Sequence, residues 1–294
     1  MKRGALRRNV TGYAFFLPFL TVFVIAVAAP LVYAIRLSLY QERMVDGTVF
    51  TGLDNYTKAL SDQLFTAGLL RVAAFFVVQV PLMLVLALLA ALAIDSGRLL
   101  FPALFRIGIF VPYAVPGVVA ALMWGYMYGD RFGLAGELGD ALGTRLPDLL
   151  SAPWMLGSIG NIVTWEFVGY NMLILYAALR SIPEELYEAA EMDGAGVFRK
   201  AWSIKLPALR PALLMATTFS VIGTFQLFNE PSILQTLAPA VVTTNYTPNL
   251  YAYNLAFSGR QFNYSAAIAV VLGLVTVVVA YLVQTLTARR ERML

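Results

Sequence analysis

Residues 188–207 read EAAEMDGAGVFRKAWSIKLP, a polar, charged stretch between two long apolar runs in a chain that is 60% hydrophobic. Joining two apolar runs needs only a short, shapeless link, yet this stretch carries helix, turn and stop signals in a fixed order. The order begins upstream, in RSIPEELY at 180–187. Ser181 can cap a helix, Pro183 suits a first turn, and Glu184 and Glu185 place negative charge where the helix dipole favours it. Gly194 and Gly196 break that helix, because glycine tolerates the left-handed conformation a break demands. Val197, Phe198, Ala201 and Trp202 then recur along one face at helical spacing. Pro207 ends the segment by disfavouring helix at the residue before it. The spacing predicts a helix–turn–helix over 181–207, lying across a membrane surface with acidic and apolar faces. A plain amphipathic connector seated in lipid is the alternative. Its acidic first helix would be repelled by anionic lipid, and small Ala189, Ala190 and Gly194 leave room for another protein to approach.

The flanking runs set the fold. Mean hydropathy over the 294 residues is +0.73. Charged residues make up 13%, about half the roughly 25% of globular proteins. Apolar runs of about 20 residues, enough to cross a roughly 30 Å hydrocarbon core, recur along the chain. The expectation is an all-α polytopic membrane protein, one domain over 1–294, with six spans at about 12–36, 66–94, 101–128, 153–179, 209–235 and 263–287. MKRGALRRN before the first run resembles the start of a signal peptide. The run itself exceeds the 7–15 residues of such a peptide, and Pro18 and Pro30 suit a true span.

Lys and Arg orient these spans. Lys2, Arg3, Arg7, Arg8, Arg98, Arg180, Arg199, Lys200, Lys205, Arg210, Arg289, Arg290 and Arg292 fall on one side, with both termini. Arg43, Lys58, Arg131, Arg145 and Arg260 fall on the other. The positive-inside bias makes the first side cytoplasmic, so the 181–207 loop is expected in the cytoplasm. The outer loops 37–65, 129–152 and 236–262 are longer and turn-rich, as a partner-binding surface would be. Basic residues are dispersed near span ends, without the aromatic-interleaved stripe of a nucleic-acid binder. The chain has no Cys and no His, which removes thiolate chemistry, Cys or His metal ligands and Ser/His pairs. No catalytic residue and no metal site are expected.

The loop resembles a known pattern. Glu188-Ala189-Ala190, three residues, Gly194, nine residues, Ile204, any residue and Leu206-Pro207 is similar, at every fixed position, to the EAA loop of ABC importer permeases. FTGLDNYTKAL at 50–60, SGRLLF at 96–101 and RIGIFVPYAVPGVVAALMWGYMY at 106–128 resemble the sugar-permease branch of that family, related to the maltose transporter's larger permease. The chain lacks that subunit's extra N-terminal spans, and at 236–240 TLAPA replaces a glycine-rich TGGP. The resemblance implies a type I ABC importer permease fold. It also implies that the loop is a coupling helix docking on an ATP-binding subunit, with Glu188 in contact, Gly194 allowing the turn and Asp193 within the coupling set. Two ATP-binding subunits, a second homologous permease and an extracytoplasmic solute-binding protein are the implied partners, with the protein in the cell membrane. ATP and Mg would be bound by the partners: no Gly-x-x-x-x-Gly-Lys-[Ser/Thr] loop exists, and none of the four lysines follows a glycine.

Polar groups inside spans need a reason. Gln226, Asn229 and Glu230 fall within about one helical turn beside Phe225 and Phe228, with Pro231 freeing backbone groups nearby. Trp165, Glu166, Gly169, Tyr170 and Asn171 lie at comparable depth, and Tyr113 and Trp124 come from the third span. Amides, carboxylates and rings suit a sugar, whose hydroxyls donate and accept and whose C–H faces stack. The resemblance aligns Gly169, Gln226 and Asn229 with substrate contacts. The candidate binding set is Trp165, Gly169, Tyr170, Asn171, Gln226, Asn229 and Glu230, against a reading of the same groups as interhelical glue. With only Arg106 as a mid-span cation, a neutral saccharide is favoured over glycerol phosphate. An ion-coupled secondary transporter using Glu166 and Glu230 is a second reading, and a membrane enzyme or receptor a third. The transporter reading leaves the loop unexplained, and six spans without an inverted repeat argue against it.

Overall fold

The computed structural model describes residues 2–291 except 44, 46, 130–132 and 145–146, and for 2–12 and 286–291 it describes the backbone only. Arg131, Arg145 and Arg292, and the side chains of Lys2, Arg3, Arg7, Arg8, Arg289 and Arg290, on which part of the charge bias rests, lie outside the described residues.

The chain is helical nearly throughout. Helix α1 (Lys2–Phe23) continues through a π turn, Val24–Ala28, into α2 (Ala29–Ser38). A hairpin of β1 (Tyr40–Arg43) and β2 (Gly47–Phe50) follows, antiparallel, with Tyr40 opposite Phe50. Next come α3 (Asp54–Ser61), α4 (Gln63–Asp95), α5 (Pro102–Phe110), α6 (Gly117–Met127), α7 (Leu134–Ala141) and α8 (Ala152–Leu179). The predicted loop forms α9 (Glu184–Met192), α10 (Val197–Lys200), a π turn at Ala201–Lys205 and α11 (Leu206–Ala208). The chain then runs through α12 (Arg210–Phe225), α13 (Asn229–Leu237), α14 (Pro248–Phe257) and α15 (Phe262–Glu291). Among the described residues, four helical stretches are long enough and apolar enough to cross a membrane: Tyr13–Ser38, Gln63–Asp95, Ala152–Leu179 and Phe262–Thr285.

The third and fifth expected spans are not single rods. Pro102–Ala114 and Gly117–Met127 meet at 98°, and Val197–Ala208 meets Arg210–Phe225 at 61°. The fifth stops at Phe225, so Gln226 and Asn229 flank a break instead of sharing one helical turn. Pro231 does not cause that break; it lies in the first turn of α13, where its missing N–H has no helical partner to lose. The break is satisfied from far along the chain: the Thr247 hydroxyl donates to the freed Leu227 carbonyl at 3.0 Å. The loops expected outside, 37–65, 129–152 and 236–262, carry structure of their own in the hairpin, α3, α7 and α14.

Packing centres on α8. Met155, Ile159 and Ile162 form one fully buried cluster with Leu234 of α13. Met172, Leu175 and Leu179 form a second with Ala87 and Ala91 of α4. Glycine sets the closest approaches. A Cβ on Gly169 would lie 2.0 Å from the Ile109 carbonyl oxygen, so α5 rests directly on α8 there. At the N-terminus of α4, Asp62 caps the helix by accepting from the Leu64 N–H at 2.8 Å, and the Tyr251 and Tyr264 hydroxyls donate to its other oxygen at 2.7 Å. Partial burial opposes the charge, but these bonds prevail and hold the carboxyl below its ordinary pKa. From Tyr13 to Val27, through the described side chains of α1 and into the π turn, every side chain is exposed, Phe15 by 84%.

Candidate functional site

Two features stand out, an exposed elbow and a cavity between spans. In the elbow, α9 ends at Gly194, whose φ is +72°. The Ala195 N–H reaches the Ala190 carbonyl at 2.8 Å and the Gly194 N–H reaches that of Glu191 at 2.9 Å. These paired bonds, six-to-one and five-to-two, are a Schellman motif, and they explain why glycine belongs at 194. Gly196 is different: its φ is −70° and it only leads into α10. Ser181 does not cap, because its hydroxyl turns back to the Ala178 carbonyl, and α9 starts after Pro183. Pro207 does not stop the second helix either. The π turn just before it already departs from regular α bonding, so the missing proline N–H is absorbed and the bend falls at Leu209.

The elbow presents its apolar side chains to the outside. Met192 and Phe198 are each 91% exposed and Trp202 76%. Glu188, Ala189, Asp193, Gly194 and Pro207 are exposed too, while Ala190, Ile204 and Leu206 are half-buried. A Lys200–Glu191 ion pair of 2.6 Å fastens the two arms.

The cavity, about 280 Å³, lies between α4, α8, α12 and α13. Tyr170, Asn171, Gln226, Asn229 and Glu230 all line it. Tyr170 stacks on Tyr113 with centroids 4.8 Å apart. Asn171 is buried and donates to the Phe167 carbonyl at 3.0 Å, leaving its oxygen without a partner among the described residues. Trp165 and Gly169 do not line it. Trp165 packs edge-on against Trp124 at 5.8 Å, and Gly169 is spent on the contact with α5. No cation lines the cavity among the described residues; Arg106 sits 5.5 Å over the Tyr176 ring instead.

Beside the cavity, Glu166 and Glu230 are buried, at 4% and 7% exposure. A Cβ on Gly117 would lie 3.4 Å from Glu166 Oε1 and Asn229 Nδ2, and 3.8 Å from Glu230 Oε1. These polar groups therefore converge on the first residue of α6, at the 98° bend. The positive end of a helix favours carboxyl groups there.

Residues 83–293 match the family described as binding-protein-dependent transport system inner membrane component, well over half the chain and the elbow included. The chain belongs to this family. Curated relatives match it over most of its length. The lactose transport system permease protein LacF of Rhizobium radiobacter is 32% identical, over 99% of this chain and 98% of its own. The diacetylchitobiose uptake system permease protein NgcF of Streptomyces coelicolor is 34% identical, over 94% of this chain and 84% of its own. A chain of a bacterial ABC transporter involved in import of the polysaccharide alginate superposes with TM-score 0.85, covering 97% of this chain and 98% of that one at 18% identity. That likeness is one of fold.

Within this permease family fold, sequence reasoning missed the α4 wall of the cavity. Gln79 lines it, 5% exposed, donating to Thr164 Oγ1 at 3.3 Å with its own carbonyl oxygen unpartnered among the described residues. The signal was available, since an amide inside the apolar run 66–94 is as costly as those in the fifth span.

Proposed function

We propose that the chain is the permease subunit of an ATP-driven importer that carries a neutral sugar into the cytoplasm, acting as one transmembrane domain over 1–294. The observation that carries this reading is the elbow. An ordered helix pair on a polar loop holds Met192, Phe198 and Trp202 bare of any partner within this chain, and exposed apolar surface of that kind marks a protein contact. The positive-inside bias puts the elbow and both termini in the cytoplasm. There it meets two separate ATP-binding subunits, which hold ATP and Mg. Glu188, Ala189, Ala190, Asp193 and Gly194 form the contact, with Ile204, Leu206 and Pro207 shaping its second arm. ATP closes the partner dimer, the elbows move, and the spans swing between outward- and inward-facing arrangements.

The exposed stretch Tyr13–Val27 supports a second, homologous permease packed along it. An extracytoplasmic solute-binding protein delivers the cargo. Relatives named for lactose and diacetylchitobiose support a sugar, as does a cation-free cavity in which Tyr170 offers a ring face and Asn171, Gln226, Asn229 and Glu230 offer donors and acceptors.

Because the chain has no cysteine, one introduced thiol gives a unique crosslinking site. In a reconstituted complex, Phe198→Cys should crosslink to an ATP-binding subunit. Crosslinks to lipid alone would overturn the reading.

A further inference from the structure

We propose that Asp95, Lys205 and Tyr187 form the joint through which movement of the elbow reaches the cavity, with Asp95 and Lys205 as positioning residues for transport. This rests on the reading of the chain as an ATP-driven permease.

Asp95 is the last residue of α4. A carboxylate at a helix C-terminus faces the negative end of the dipole, so it is unfavourable there without a partner. Lys205 supplies that partner, ion-paired to Asp95 Oδ2. The pair is largely shielded, with side-chain exposures of 16% for Lys205 and 9% for Asp95. The same ammonium lies 5.5 Å from the centre of the Tyr187 ring in α9, within cation–π range. One side chain of the second arm thus holds both the first arm and a span. No residue of α9, α10 or α11 is fully buried, and this ion pair is the one that joins the elbow to a span among the described residues.

The other ion pair of the elbow is of a different kind. Lys200–Glu191 joins the two arms to each other, and Glu191 is 64% exposed. Such a pair is screened by solvent and reaches no span. Asp95 ends the helix whose Gln79 and Met83 line the cavity, about 18 Å further along at 1.5 Å per residue from Met83. A rigid helix therefore joins the two places. Removing one partner of a shielded pair leaves an uncompensated charge, so loss of either residue breaks the joint. Tyr187 adds to it. Its hydroxyl is buried with no partner among the described residues. Burial first, and then the Asp95 charge, keep its proton on by raising its pKa.

The test uses the whole complex in vesicles, with uptake and ATP hydrolysis measured together. Asp95→Asn and Lys205→Met should each leave assembly and hydrolysis intact while uptake per ATP falls about tenfold. Reversing the pair, Asp95→Lys with Lys205→Asp, should restore at least half of it, since lysine suits the end of α4. A merely structural contact would change assembly without changing uptake per ATP. Single variants with wild-type coupling, or a reversed pair as poor as the singles in an assembled complex, overturn the joint. Should Asp95→Asn not assemble, Lys205→Gln, which also removes one charge of the pair, must lower uptake per ATP at unchanged assembly, and wild-type coupling there overturns it as well. Wild-type uptake that needs no ATP would sink the functional reading and the joint with it. ATP-driven wild-type uptake with unaffected variants sinks the joint alone.

Discussion

The elbow and the cavity are both polar interruptions in an apolar chain, and they are built in opposite ways. Apart from the Lys205–Asp95 pair, the elbow closes on itself. Its glycine turn is bonded between residues at most five apart, and its arms are joined by Lys200–Glu191. Its apolar residues face outward. The cavity closes on the rest of the molecule. The break after Phe225 depends on Thr247, the bend before Gly117 faces Glu166 and Asn229, and Gln79 comes from another span. A locally closed element can change its partner without unfolding, whereas a site closed by distant groups fails when any of them is lost.

That contrast breaks down if substitutions in the two places behave alike. The largest effect expected is from Gly169→Leu, because a Cβ alone would strike the Ile109 carbonyl oxygen at 2.0 Å. Backbone cannot yield as a flexible side chain can, and destabilisation of about 3 kcal/mol or more follows. Loss of the folded peak in detergent gel filtration is the readout, and a normally folded variant would show that α5 is free to move off α8. Next is Glu188→Lys in the elbow. ATP-driven uptake should fall about a hundredfold with the melting temperature unchanged, since Glu188 is exposed. A matching loss of stability would mean that the elbow is a structural part of the body.

Third, Gln226→Ala with Asn229→Ala should weaken uptake about tenfold, the scale of one or two lost hydrogen bonds, through a raised KM for solute. Wild-type kinetics would return both residues to packing. The smallest effect concerns the cap of α4. Asp62→Asn can still cap α4 but loses the charge that Tyr251 and Tyr264 bond, costing about 1 kcal/mol at neutral pH. Because the folded pKa of Asp62 lies below the unfolded value of about 3.9, this contribution is complete above that value and fades as pH falls through the folded one. The difference between Asp62→Asn and wild type in denaturant titrations should therefore shrink below about pH 4. A gap that persists there would assign the effect to shape.

Much of this was legible in the residue order. Apolar lengths marked out the long helices of four expected spans but not the breaks in the third and fifth, and the EAA pattern located the elbow and its left-handed glycine. Other local signals misled. Ser181 had a nearer carbonyl to bond, and Pro207 and Pro231 sat where a missing N–H costs little. Gly169, grouped by depth with the cavity residues, faces the other side of α8 toward α5.

What the sequence determined alone was whatever depends on a short window: hydrophobic length, charge bias at span ends, and a turn that only glycine at 194 makes easily. What only the tertiary structure decided was where spans break and which polar groups meet. A broken helix frees backbone groups that must find partners, and here the polar groups at each break come from other elements, Thr247 for one and Glu166 and Asn229 for the other. No window of sequence holds both sides of such a bond.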